Sequence, residues 1–155
     1  MLLTVAATNF DFGISGFGAG GDIGAGGPSG NGAPATASAP TRASFGLCKW
    51  GGGTNCVVDG DTFYIAGDKV RIAGIDAPET HDFGCGSELA LGNQATDKLH
   101  ALLNSGAVTM TAIDRDRDAY GRLLCNVQVD GADVGAALIA AGVARDYAGG
   151  QRPWC

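Results

Sequence analysis

A mainly β domain with two helices is the fold class that the sequence predicts, on two observations. Short runs rich in β-branched and aromatic residues alternate with Asp-Gly and Gly-Asp turns. Two longer segments space their leucines and alanines as one face of a helix does. The order is two or three strands, a helix, two strands and a helix. Short strands with turns between them and helices interspersed suit a small closed barrel of the OB type, with an open α+β sheet as the alternative.

Taken in order, Val57-Val58 runs into the Asp59-Gly60 turn, and Thr62-Phe63-Tyr64-Ile65 follows as a strand. Gly67-Asp68 turns the chain back. Lys69 to Ile75 is the returning strand, with Val70 and Ile72 on one face and Arg71 and Ala73 on the other. Pro78 ends that pattern and opens a loop to Gly86. Ser87 is the expected N-cap of the first helix, with Glu88 at its positive end. Leu91, Ala95, Leu99 and Leu102 form its apolar stripe, which stops at Asn104-Ser105-Gly106. Val108 to Ile113 and Leu123 to Val129 are the next two strands, the second closed by the Asp130-Gly131 turn. Val134, Ala137, Leu138 and Ala141 mark the second helix, ended by Gly142. The tail from Gly149 to Cys155 has no periodicity.

Composition divides the 155 residues at residue 47. Half of residues 13–32 are glycine, and an Ala/Ser/Pro/Thr stretch follows to about Ser44. Residues 1–47 therefore lack the apolar side chains that would offset their chain entropy, and a disordered, flexible Gly/Ala-rich leader is expected. Residues 48–155 are the expected folded unit, enough for one core. The formal charge is −6. Without the leader's Asp11, Asp22 and Arg42, nine basic residues face fourteen acidic ones, a balance of −5. That sign argues against tight, non-specific binding to long duplexes, although a bound dication would offset part of it.

The five cysteines include no CxxC pair, and only two histidines are present, so no zinc site is expected. This many cysteines in a small domain points to an oxidising compartment, and a secreted or periplasmic location is expected on that ground alone. Four of them suffice for two bridges, whose pairing is left open. Cys125, mid-strand between Leu124 and Asn126, is the expected free thiol. The N-terminal run Met1 to Ala7 is apolar but short and without a basic flank, unlike a signal peptide, and no membrane-spanning segment is expected.

Three segments carry the chemistry: Asp59-Gly60-Asp61-Thr62, Arg71 through Asp76-Ala77-Pro78-Glu79, and Asp118-Ala119-Tyr120-Gly121-Arg122. They supply carboxylates for a hard divalent cation, a spare glutamate and two arginines. Hydrolysis of a phosphodiester requires that set: a cation to neutralise charge, a carboxylate to take a proton, and guanidinium forks for phosphate oxygens.

On these residues, and over about Cys56 to Tyr147, the chain resembles the staphylococcal-nuclease (thermonuclease-like) family. The likeness also includes Arg71-Ile72-Ala73-Gly74-Ile75 and Asp130-Gly131 followed by Leu138 and Gly142-Val143-Ala144. The resemblance implies a five-stranded OB-type β-barrel with helices, and calcium-dependent hydrolysis of DNA and RNA that leaves 3′-phosphate ends. It implies calcium ligation by the Asp61 and Asp76 carboxylates and by the Ala77 backbone carbonyl, where the family commonly has threonine. Glu79 matches the glutamate that orients or deprotonates water, and Arg71 and Arg122 match the phosphate clamp. Tyr120 and Tyr147 match substrate-contacting tyrosines. The implied substrate is single-stranded or frayed DNA and RNA, and a monomer is expected.

The chain departs from the family pattern in three places. Ala119 replaces a basic residue, the loop from Ile113 to Asp118 is shorter, and the C-terminal helix of the best-known members is not expected here. A Cys85–Cys155 bridge would tie the short tail down instead. Asp59 reads equally as a second acid or a turn former, and Arg115, Arg117 and Arg152 read as surface charge. Arg145 is a weaker candidate for backbone phosphates, and His81 and His100 are given no catalytic role. The competing function is a non-catalytic OB-fold nucleic-acid-binding module. Such a binder would be expected to have lost one of Asp61, Arg71, Asp76, Glu79 or Arg122, and all five are present.

Overall fold

The computed structural model describes residues 35–50, 52–113 and 117–155. The leader as far as residue 34 and the middle of the Ile113–Asp118 loop, with Arg115, lie outside the described residues. The described elements are β1 (Gly46–Leu47), β2 (Cys56–Val57), β3 (Thr62–Ile65), β4 (Asp68–Ile72), β5 (Ile75–Asp76), α1 (Gly86–Asn104), β6 (Val108–Ala112), β7 (Leu123–Val129), β8 (Ala132–Asp133), α2 (Val134–Ala140) and β9 (Arg145–Asp146). None of the described helices is long and apolar enough to cross a membrane.

A mixed sheet runs in the order β1-β2-β3-β4-β7-β6, with β8 added to β7. The β1–β2 and β4–β7 pairs are parallel, and the rest are antiparallel. The strand expected from Lys69 to Ile75 is broken. Gly74 adopts φ +75°, a left-handed turn that glycine enters without a Cβ clash. Ile75 and Asp76 consequently leave the main sheet and pair with β9.

The ladders are not those of a closed five-stranded barrel, because no described pairing joins β6 to β1. One segment instead touches both edges. Ala37 and Thr41 bridge to Thr111 and Val108 of β6, while Gly46 and Leu47 pair with Cys56 and Val57 of β2. Between these contacts Phe45 is buried and meets Phe63 edge-on, ring centres 6.0 Å apart. Asn104 Oδ1 accepts the Phe45 N–H at 2.9 Å, and His100 Nε2 lies 2.8 Å from the Phe45 carbonyl oxygen. The packed unit thus reaches back beyond the Cys48 boundary expected from composition, since a single phenylalanine with both backbone groups satisfied anchors an otherwise apolar-poor stretch.

Helix α1 starts after Cys85, not Ser87, because Cys85 is the last residue in extended backbone. It turns Ala95, Leu99 and Leu103 inward, and Leu103 takes the fully buried place expected of Leu102. Helix α2 is capped by Asp133, whose carboxylate accepts the Ala136 N–H at 2.7 Å. Phe63, Val70, Ile72, Val127, Val134 and Leu138 complete the core beneath the carboxylate-bearing turns.

Candidate active site

Asp61 leaves the Asp59-Gly60 turn just before β3, and the register places Thr62 opposite Arg71 of β4. Arg71 Nη2 accordingly lies 3.0 Å from Asp61 Oδ2, and the Thr62 hydroxyl donates to Asp61 Oδ1 at 2.8 Å. Asp76 is opposite Arg145 in the β5–β9 pair. Arg145 Nε and Nη2 both donate to Asp76 Oδ2, at 3.1 and 2.9 Å. Both aspartates are buried, so each takes a guanidinium partner at close range.

Small residues fix these turns against α1. A Cβ on Gly60 would stand 2.5 Å from the Ala95 Cβ and 2.9 Å from the Ala77 Cβ. A Cβ on Gly92 would stand 2.9 Å from the carbonyl oxygens of Pro78 and Glu79. The Asp61 turn, Ala77 and the Pro78-Glu79 segment are therefore seated on one helix at backbone distance.

Glu79 is half-buried, and its N–H donates to Glu88 Oε1 at 3.3 Å. Glu88 Oε2 also accepts the Gly84 N–H at 2.7 Å, so one buried carboxylate ties both ends of the loop. Burial and the charges of Asp61 and Glu88 raise the Glu79 carboxyl above its ordinary value, with Arg71 opposing. Burial and the Asp61 charge push Asp59 up to about 7. Asp59 also accepts the Asp61 N–H at 3.2 Å, so it is both turn former and member of the acidic group.

A cavity of about 610 Å³ opens here, with Asp76, Ala77 and Glu79 on one side and the tail from Gln151 to Cys155 on the other. The tail is not loose. Arg145 donates to the carbonyl oxygens of Arg152 and Pro153, its guanidinium carbon lies 3.8 Å from the Trp154 ring centre, and Cys155 is bridged to Cys85. The Cys85–Cys155 bridge is the one the sequence suggested. Cys48–Cys56 is the second, and Cys125 is free and buried.

The structure brings Asp61, Arg71, Asp76 and Glu79 within electrostatic reach of one another, beside Ala77. Tyr147 joins them, with the Arg71 guanidinium carbon 5.7 Å from its ring centre. Arg122 is engaged elsewhere: Nε donates to Asp118 Oδ2 at 2.7 Å, and the guanidinium lies 5.2 Å from the exposed Tyr120 ring. It sits two residues before Leu124, the β7 partner of Arg71. Arg117 pairs with Asp68 at the surface, as expected of it.

Two residues gained roles that sequence reading did not give them. Arg145 is the partner of Asp76 across 69 residues of chain, and no local signal marks such a pair. Glu88 looked like a helix-dipole acid, and nothing in the local sequence marks it as the acceptor of the Glu79 and Gly84 N–H groups. Cys85, Glu88 and Cys155 also bring three donor atoms together, but both sulfurs are spent in the bridge, which leaves a single carboxylate and no metal site.

The ligands that the resemblance implies, Asp61, Asp76 and the Ala77 carbonyl, would be two carboxylates and a neutral carbonyl, all oxygen, with the acids Asp59 and Glu79 nearby. Such a set fits a hard divalent cation such as calcium and not a thiophilic one.

Residues 69–153 match the family described as staphylococcal nuclease homologue, more than half of the chain. The chain belongs to that family. Among its relatives is the succinoglycan biosynthesis protein ExoI of Rhizobium meliloti (strain 1021), 35% identical over 98 residues, which are 61% of this chain and 51% of that protein. An uncharacterized endonuclease of Escherichia coli O157:H7 is 35% identical over 97 residues, 59% of this chain and 57% of its own. The endonuclease YncB of Bacillus subtilis (strain 168) is 37% identical over 93 residues, 57% of this chain and 44% of its own. The chain thus spans about half the length of the first two of these relatives. The matched residues include Arg71, Asp76, Glu79, Arg122 and Arg145, and with them the Asp76–Arg145 pair, whereas Asp61 precedes them.

Proposed function

We propose that this chain is a calcium-dependent nuclease that hydrolyses phosphodiester bonds of DNA and RNA with low sequence specificity and leaves 3′-phosphate ends. The observation that carries the reading is the Arg71–Asp61 ion pair at 3.0 Å beside Glu79, a cation for phosphate and a carboxylate base in one place. Membership of the nuclease family and the endonuclease names of two relatives support it.

Asp61, Asp76 and the Ala77 carbonyl would hold the calcium, which when bound neutralises phosphate charge and organises water. Arg71 binds a non-bridging phosphate oxygen through its guanidinium fork. Arg122 exchanges its Asp118 partner for a second phosphate oxygen. Glu79 takes the proton from the attacking water at a carboxylate oxygen. Its raised pKa suits a base, because a weakly acidic carboxyl holds the proton better. Tyr147 and Tyr120, each beside one of these arginines, contact the substrate.

On this reading segment 37–47, which touches both sheet edges, completes an OB-type barrel. The two disulfides support a secreted or periplasmic site of action, and the protein acts as a monomer.

The test is hydrolysis of denatured DNA with calcium and then with excess chelator. Cleavage that needs calcium, yields 3′-phosphates and falls about 10²–10⁴-fold in Glu79→Gln is the expected result. No cleavage by folded, calcium-loaded protein would move the assignment to the binding module.

A further inference from the structure

A second cavity, of about 550 Å³, is bounded by Lys49, Trp50, Val58, Tyr64, Lys69 and His81. It holds two of the three lysines in a chain whose formal charge is −6. The Trp50 side chain is fully exposed at 103%, whereas Tyr64 is half-buried and forms part of the wall. Lys69 Nζ lies 5.8 Å from the Tyr64 ring centre, so positive charge and aromatic surface are adjacent.

The cavity is built in advance. The Cys48–Cys56 bridge closes the loop that carries Lys49 and Trp50. Gly52 adopts φ +93°, and a Cβ there would lie 3.1 Å from the Tyr64 hydroxyl oxygen. A Cβ on Gly53 would lie 2.4 Å from Cys56 Sγ. Gly52 thus lies against Tyr64 and Gly53 against the disulfide, while Trp50 stays exposed. Val58 adjoins Asp59, and His81 lies two residues beyond Glu79, so the cavity neighbours the carboxylates along the chain.

We propose that this cavity binds single-stranded nucleic acid beyond the phosphodiester being cut, with bases stacked on Trp50 and Tyr64 and phosphates on Lys49 and Lys69. The substrate class rests on the nuclease reading. An exposed indole and a half-buried phenol ring beside ammonium groups take bases by their faces and phosphates by charge, without regard to sequence. Duplex bases are already stacked and do not offer those faces. On an acidic protein a phosphate polymer needs a local basic track, and the lysines here supply one.

The test is anisotropy of a labelled oligothymidylate with the full chain and calcium, in a Glu79→Gln background that removes cleavage on the nuclease reading. Trp50→Ala is expected to weaken binding about tenfold, the loss of roughly one stacked base. Lys49→Ala with Lys69→Ala is expected to flatten the salt dependence by about 1.4 in log–log slope, about 0.7 for each phosphate contact. Turnover of a thymidine dinucleotide, which offers little chain beyond its own cut bond, is expected to change less than turnover of the oligomer when either change is made in wild type. Circular dichroism checks that each variant is folded. Wild-type affinity and salt slope in both variants would overturn the proposal, as would failure of the parent protein to bind the oligomer. Binding through Trp50 in the Glu79→Gln parent, with neither substrate cleaved by wild type, would uphold the cavity and sink the nuclease reading.

Discussion

Asp76 and Arg145 are partners across the β5–β9 pair, and two N–H groups of Arg145 converge on one oxygen, Asp76 Oδ2, at 3.1 and 2.9 Å. The aspartate is buried and the arginine is partly exposed. Removing the arginine leaves a buried charge without its counterion, which costs more than the net worth of the pair. Arg145→Ala is therefore expected to lose about 3 kcal/mol of stability in calcium-free denaturant unfolding. Calcium is expected to restore more stability to the variant than to wild type, because the cation replaces the missing charge on Asp76. Equal calcium increments in both proteins would show that Asp76 is not a ligand.

Asp118 gives a pH-dependent prediction at a separate place. Burial alone would raise its carboxyl, but hydrogen bonds from the Arg122 backbone and side chain and from the Tyr120 N–H outweigh it and hold it below the ordinary aspartate value. A carboxyl depressed in the folded state adds stability that is full above its unfolded value and is lost as pH falls through the folded one. Asp118→Asn is expected to be less stable than wild type at neutral pH, by about 1.5 kcal/mol, the low end for hydrogen bonds to a charged group. The two melting temperatures should converge in strong acid. A gap that persists there would mean that the charge is not what stabilises the turn.

The disulfides rank by the chain they close. Cys85 and Cys155 are 70 residues apart, Cys48 and Cys56 only 8. Loop-closure entropy gives about 4 kcal/mol for the long bridge and about 2.5 kcal/mol for the short one. Cys155→Ser should lower the melting temperature more than Cys56→Ser does, and reductant should lower it in wild type. Burial pushes the Cys125 thiol up, so alkylation without reductant should modify it only after unfolding. Alkylation of native protein at Cys125 would show that the core opens there.

Much of this site was legible in the sequence because its parts are local. Asp59-Gly60-Asp61 is a turn by its own chemistry, and Asp76-Ala77-Pro78-Glu79 carries its acids on one short rigid stretch. The free thiol at Cys125 followed from its place inside an alternating strand. Contacts that join distant segments were not legible, namely Arg145 to Asp76, Phe45 to Asn104 and the lysine cavity. Phe45 stands amid serine, alanine and glycine, so composition assigned it to the leader, yet one buried ring and three backbone hydrogen-bond contacts outweigh that average. The break at Gly74 was hidden because glycine inside an apolar run fits a strand as readily as a turn.

Gly60 tests how closely the site depends on packing. The sequence presents it as half of an Asp-Gly turn, which would require only a permissive backbone. Its φ is not among the positive ones, so turn geometry alone does not demand glycine there. Space does: an added Cβ would meet Ala95 at 2.5 Å and Ala77 at 2.9 Å. Gly60→Ala is expected to cost about 1–3 kcal/mol, the range for overpacking a well-filled interior. It should also weaken calcium affinity, because the turn that moves away from α1 carries Asp61. Adding Ala95→Gly removes the nearer clash and is expected to recover part of both losses, although glycine within α1 itself costs about 1 kcal/mol. Calcium titration and denaturant unfolding of the single and double variants measure the two effects together. If Gly60→Ala matches wild type in both, the turn has room that this packing denies it, and Asp61 is not positioned by the helix.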